Sequence, residues 1–195
     1  MQKNNWPPIV IALVLSTEIA AVYTVERWVL RQGKSPAAVH ASRHIEQEVD
    51  LRFQQGVAML HVKQYDHAMT AFHRVLQLSP QLPEAHVNMG FVLLGTGKYK
   101  EALDFFDGAL VLRSTQINAH YGAALAQKAL GNSEEASAEM HNYLMQAHQD
   151  DPYRAKAEEA LKRWQAELKE AELAKEAERR KEKKKSTPPR RHDGH

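Results

Sequence analysis

The chain has 195 residues, room for one modest domain with appendages, and its mean hydropathy of -0.56 is polar for a single packed core. A formal net charge of +2 conceals polarity along the chain: residues 1–34 carry a small positive excess, 35–153 a negative one, and 154–195 a positive one. With zero cysteines, disulfides, thiol nucleophiles, cysteine-based zinc sites and iron–sulfur ligation are excluded.

After a five-residue flank (1–5), residues 6–25 read WPPIVIALVLSTEIAAVYTV, with Glu18 as the single charge. A helix of that length rises roughly 30 Å, the thickness of a bilayer's hydrocarbon core. Trp6 at one edge and Tyr23 and Trp28 near the other stand where interfacial aromatics belong. Pro7 and Pro8 fall in the first turn, where a missing N–H costs little. The expectation is a transmembrane signal anchor over residues 6–30. A cleaved signal peptide is the alternative, with an apolar region at residues 9–17. It lacks well-placed small residues: cleavage after Ala20 puts Glu18 at the minus-three position, and cleavage after Ala21 puts Ile19 there. Glu18 is either a tolerated, protonated carboxyl or an intramembrane contact with a partner's polar side chain, because an acid there costs on the order of 2–3 kcal/mol. Arg27, Arg31 and Lys34 favour a cytoplasmic soluble part by the positive-inside count, whereas the short flank with Lys3 has the form of an exporting signal anchor.

Residues 31–48 are polar and are expected to form a linker or lead-in helix. Beyond them the sequence repeats every 34 residues. Gly56, Gly90 and Ala124 align, as do Ala68, Ala102 and Ala136; Phe72, Phe106 and Met140; and Leu76, Leu110 and Leu144. Tyr65 matches Tyr99, with Ser133 in the third copy. Small residues recur where helices cross closely, and large ones where the space between them must be filled. Apolar spacing within each copy is helical, and a polar turn at Lys63–Gln64, Gly95–Gly97 or Gly131–Ser133 divides it. Each copy therefore predicts two antiparallel helices, in units 49–82, 83–116 and a degenerate 117–150.

Residues 152–185 follow as a capping helix that runs into a charged helix. Ala157, Ala160, Leu161, Trp164 and Leu168 share one apolar face, and Trp164 reads as a core anchor. Later pairs such as Glu176–Arg180 support an exposed helix through i,i+4 attraction. Residues 186–195 are disordered by composition. The basic run of Arg179, Arg180, Lys181, Lys183, Lys184 and Lys185 reads either as a solvated helix end or as a contact with anionic lipid. Nucleic acid is disfavoured because no aromatic residues interleave with the cations.

No Gly-rich phosphate loop, G-x-S-x-G or HExxH is present. The pairs His40–His44 and His141–His148 lack the third ligand a catalytic zinc requires. The expectation is a non-enzymatic protein with neither metal nor cofactor.

The segments VAMLHVKQYDHAMTAFHRVLQLSP and FVLLGTGKYKEALDFFDGAL, with Pro80 at a helix-ending position, resemble the tetratricopeptide repeat, over roughly residues 49–150. The resemblance implies an all-α solenoid of about three helical hairpins. Arg52, His86 and His120 stand where that family prefers large apolar side chains, which points to looser packing there. Ser114 and His148 replace the terminal proline, which predicts that the last helix of the third pair runs on towards Pro152.

By the same resemblance, the first helix of each pair lines a concave groove. Its candidate residues are Phe53, Gln54, Val57, Leu60 and His61; Val87, Asn88, Phe91 and Leu94; and Tyr121, Leu125 and Lys128. Together they offer an apolar, aromatic surface suited to a helical or apolar peptide. Of the carboxylate clamp that some relatives use on chaperone tails, only Asn88 is matched. Phe53, Val57, Asn118 and Gly122 occupy the other clamp positions, which argues against that ligand. The resemblance extends to bacterial inner-membrane repeat proteins that assist complex assembly. The reading is thus a single-pass inner-membrane adaptor with its soluble part expected in the periplasm. A permanent structural subunit, packed through the repeats and the transmembrane helix, is the alternative.

Overall fold

The computed structural model describes residues 35–186. The expected anchor over 6–30 with Glu18, the flank 1–5, and the tail from residue 187 onward lie outside the described residues. Among the described residues, no helix is long and apolar enough to cross a membrane.

Seven helices are present among the described residues. They are α1 Pro36–His61, α2 Tyr65–Leu78, α3 Pro83–Gly95, α4 Tyr99–Leu112, α5 Ile117–Ala129, α6 Ser133–Gln146 and α7 Arg154–Ser186. The lead-in is helical from Pro36, and α1 carries no break at residue 48. Two compact units divide the chain between Leu51 and Arg52. In the first, the Ser35 hydroxyl accepts the Ala38 N–H at 3.2 Å in the first turn, and the described side chains are mostly exposed.

From Arg52 onward the fold is the expected tetratricopeptide-like solenoid of helical hairpins. The 34-residue register is visible in the turns: Lys63, Gly97 and Gly131 have φ of 59°, 79° and 88°. Each ends the first helix of its pair in a left-handed residue. The next N–H then reaches back to a carbonyl five residues earlier, from Gln64 to Met59, Lys98 to Leu93 and Asn132 to Gln127, at 2.8–3.0 Å. Glycine suits this backbone in two of the turns, whereas Lys63 bears a Cβ there.

The same register builds the core. Ala68, Ala102 and Ala136 are fully buried, as are Phe72, Phe106 and Met140 beside them. Gly56 and Gly90 admit the Phe72 and Phe106 rings: a Cβ on either glycine would stand 2.7 or 2.6 Å from a ring carbon. The third copy pairs Ala124 with the slimmer Met140, within a second cluster completed by Tyr143, Ala147, Ala157 and Trp164. Trp164 is 3% exposed, as befits an anchor that holds the cap against the third hairpin.

Two of the polar residues on the first helices have partners: His86 Nε2 donates to the Pro80 carbonyl at 2.9 Å, and His120 Nδ1 donates to the Glu139 carboxylate at 2.6 Å. One expectation is corrected: α6 does not run on towards Pro152 but stops at Gln146. Arg154 draws the chain round by donating to the carbonyls of Leu144 and Ala147 at 3.1 and 2.8 Å, so those helix-end acceptors are satisfied without another turn.

Candidate functional site

The first helices of the three pairs leave a groove of about 480 Å³ between them. Val57, Leu60 and His61 enter from α1; Asn88, Phe91, Leu94 and Gly95 from α3; Asn118 and Tyr121 from α5. Spacings of three and four residues put each set on one face of its helix, and the 34-residue register aligns the sets across the hairpins. Lys63 joins them from the turn after α1, Tyr65 from the first turn of α2, and Tyr153 from the turn after α6. The lining is more apolar than polar, and its polar groups are amides, tyrosine hydroxyls, His61 and Lys63. None of the lining residues is acidic.

The tyrosine wall is built with care for its polar atoms. Tyr143 is fully buried, and its hydroxyl donates to Asp151 at 2.5 Å. Asp151 also accepts the Tyr153 backbone N–H at 2.8 Å, which fixes the turn that carries Tyr153. Tyr121 stands between Tyr143 and Tyr153, with ring centroids 5.2 and 5.5 Å away. Burial, and then the neighbouring Tyr153 and Asp151, push the Tyr121 hydroxyl above its ordinary titration range. Burial and the hydrogen bond to Asp151 push Tyr143 up further, so both phenols stay protonated and remain donors.

Val57, Leu60, His61, Asn88, Phe91, Leu94 and Tyr121 therefore meet in the groove. Five other candidates do not line it. Val87 is 4% exposed and belongs to the first core cluster, which runs from the first hairpin to α5 of the third. Phe53 packs edge-on against Phe72 with centroids 5.8 Å apart. Leu125 packs on the second cluster, and Gln54 is exposed without lining the groove. Lys128 serves the cap instead: its ammonium donates to Ser133 at 3.1 Å and to Glu167 at 2.5 Å, and lies 5.6 Å from the Trp164 ring centre. Sequence reasoning missed Lys63, Tyr65, Gly95, Asn118 and Tyr153 as lining residues. Tyr153 lies beyond the repeats, where no register could point to it.

The basic residues Arg179, Arg180, Lys181, Lys183 and Lys185 lie in the exposed end of α7, and Arg180 pairs with Glu176 at 2.8 Å. The Lys184 side chain lies outside the described set.

Comparison with known proteins places the fold. The family described as anaphase-promoting complex, cyclosome, subunit 3 matches residues 61–143. No curated protein matches the chain. Among solved structures, the chain is similar to the Arabidopsis OM64 TPR domain, with 19% identity and a TM-score of 0.56 over 60% of this chain and 94% of that one. The TPR2B domain of yeast Sti1, solved as a complex with pHsp70, gives 12% identity and a TM-score of 0.58 over 62% and 98%. The type III secretion translocator chaperone SycD of Yersinia enterocolitica gives 15% and 0.57 over 66% and 88%. At these identities the likeness is one of fold.

Proposed function

We propose that this protein is a non-enzymatic adaptor whose groove receives an apolar, short helical or extended segment of a partner protein. The observation that carries this reading is the lining itself. Val57, Leu60, Phe91, Leu94, Tyr121 and Tyr153 supply apolar area, while Asn88 and Asn118 offer amide groups to a backbone. A carboxylate clamp is a poorer fit, because Val57 and Gly122 stand where such a clamp needs polar or cationic donors. The binding of pHsp70 by the yeast Sti1 domain supports peptide capture as a use of this fold, with a different anchoring chemistry here.

The apolar segment 6–30 would tether the groove to a membrane, in a bacterial cell the inner membrane, with the repeats on the periplasmic side. Tethering replaces free diffusion by a high local concentration next to membrane partners, which suits assistance to complex assembly. Glu18 would then sit where a partner's transmembrane helix could meet it.

The test is steric. Asn118 is exposed and lines the groove, so Asn118→Trp fills the groove without opening the core. Co-purification of the partner with the full-length chain should be lost while helical circular dichroism and thermal melt stay the same. Undiminished recovery would remove the groove from the account.

A further inference from the structure

In the first hairpin, a second cleft of about 390 Å³ that shares no lining residue with the groove is lined by Arg52, Gln55, His67, Thr70, Ala71, His73, Arg74 and Gln77. The other two hairpins have the same seam and fill it. In the second, His86 packs on Phe105 with ring centroids 5.8 Å apart, and Gly108 leaves room, since a Cβ there would stand 3.3 Å from His86 Nδ1. In the third, His120 pairs with Glu139 at 2.6 Å. One register earlier, the residues at those three positions are Arg52, Ala71 and Arg74. Ala71 thus stands where the second hairpin has Phe105 and the third Glu139, and Arg52 and Arg74 both line the cleft.

We infer that this open seam is an oxyanion site, built for a phosphate group held between Arg52 and Arg74. An end face needs only polarity to remain in water. The lining residues of this one include two arginines and two histidines and no carboxylate. Arg52 Nη1 donates to Gln55 Oε1 at 3.1 Å, a bond between two residues of the cleft lining that uses one of the five guanidinium N–H donors. Arg74 already takes part in a polar interaction, and a guanidinium with five N–H donors can add a phosphate oxygen to it. Gln77 offers a neutral donor on the same helix, whereas the Thr70 hydroxyl already donates to the Asp66 carbonyl at 2.9 Å. The phosphate comes either from a free phosphomonoester or from a phospholipid headgroup; both present the same dianionic or monoanionic oxygens.

The experiment titrates the full-length chain with inorganic phosphate, and separately compares its partitioning onto phosphatidylcholine vesicles with and without phosphatidic acid. Arg52→Gln should weaken phosphate binding by about tenfold, as loss of a charge-assisted pair implies. Ala71→Phe restores the plug of the second hairpin while keeping both arginines, and should abolish binding; if it fails to fold, Arg52→Gln alone carries the result. Lys100→Gln, an exposed cation elsewhere, should change nothing. An Arg52-dependent excess on phosphatidic acid vesicles identifies the headgroup as the source, and its absence alongside phosphate binding identifies the free anion. No binding in either arm, or an equal loss from Lys100→Gln, overturns the site.

Discussion

Gly90 and Phe106 occupy one space: the Cβ that Gly90 lacks would stand 2.6 Å from the Phe106 ring. The ring cannot retreat, because Phe91 meets it edge-on at 5.2 Å and Gly122 of the next hairpin abuts its other side. An alanine in a helix ordinarily gains about 1 kcal/mol over glycine. Here that gain loses to overpacking, and Gly90→Ala should destabilise the domain by about 1–3 kcal/mol in urea unfolding. Gly108→Ala faces only His86 Nδ1 at 3.3 Å and should be near neutral. Equal effects at the two glycines would mean that the Phe106 pocket is not tight.

Lys63 carries a left-handed backbone, φ 59°, where its counterparts are Gly97 and Gly131. Lys63→Gly should therefore stabilise the first hairpin, by about 0.5–1 kcal/mol once the greater freedom of glycine in the unfolded chain is set against the relieved strain. Chemical denaturation checks the sign. A loss of stability would show that the lysine stem contributes more than its backbone costs.

Asp107 is held above the usual carboxylate range by partial burial and by the nearby Glu139 and Asp104. A carboxyl whose folded pKa lies above its unfolded value disfavours the native state once it ionises, at pH above both values. Asp107→Asn should thus raise stability at neutral pH. The advantage should fade as pH falls through the raised pKa to the ordinary Asp range, where both states are protonated. Melting curves from pH 7 down to pH 3.5 would follow it; a gain independent of pH would assign the effect to something other than charge.

Asp151 and Tyr153 separate folding from binding. Asp151→Ala leaves the buried Tyr143 hydroxyl without its acceptor and should cost about 1–3 kcal/mol of stability. Tyr153 is 47% exposed, so Tyr153→Ala should leave the melt nearly unchanged while weakening partner binding at the groove. A stability loss from Tyr153→Ala as large as that from Asp151→Ala would make the ring part of the core.

The repeat was legible because packing between hairpins demands the same small–large pairs every 34 residues; Ala68, Ala102 and Ala136 needed no other signal. Residues at the ends of that logic were less so. Val87 shares helix, register and polarity with true groove residues, and only its depth distinguishes it. Gly122 looks like a lost clamp position in the sequence, yet it is there to admit Phe106 from the neighbouring hairpin. The stop of α6 depends on Arg154 reaching back across a turn to Leu144 and Ala147, a contact no periodicity encodes. Tyr153 reaches the groove for the same reason, carried by a turn whose shape rests on Asp151.

The claim that the groove receives the partner is tested most directly by photo-crosslinking in cells. A photoreactive residue at His61, which is exposed and lines the groove, is compared with one at Glu101, exposed outside it, in the otherwise unaltered full-length chain. A discrete adduct from position 61 alone, lost when Asn118→Trp fills the groove, is the predicted result. Equal adducts from position 101, or an adduct at 61 that survives the filled groove, would contradict it.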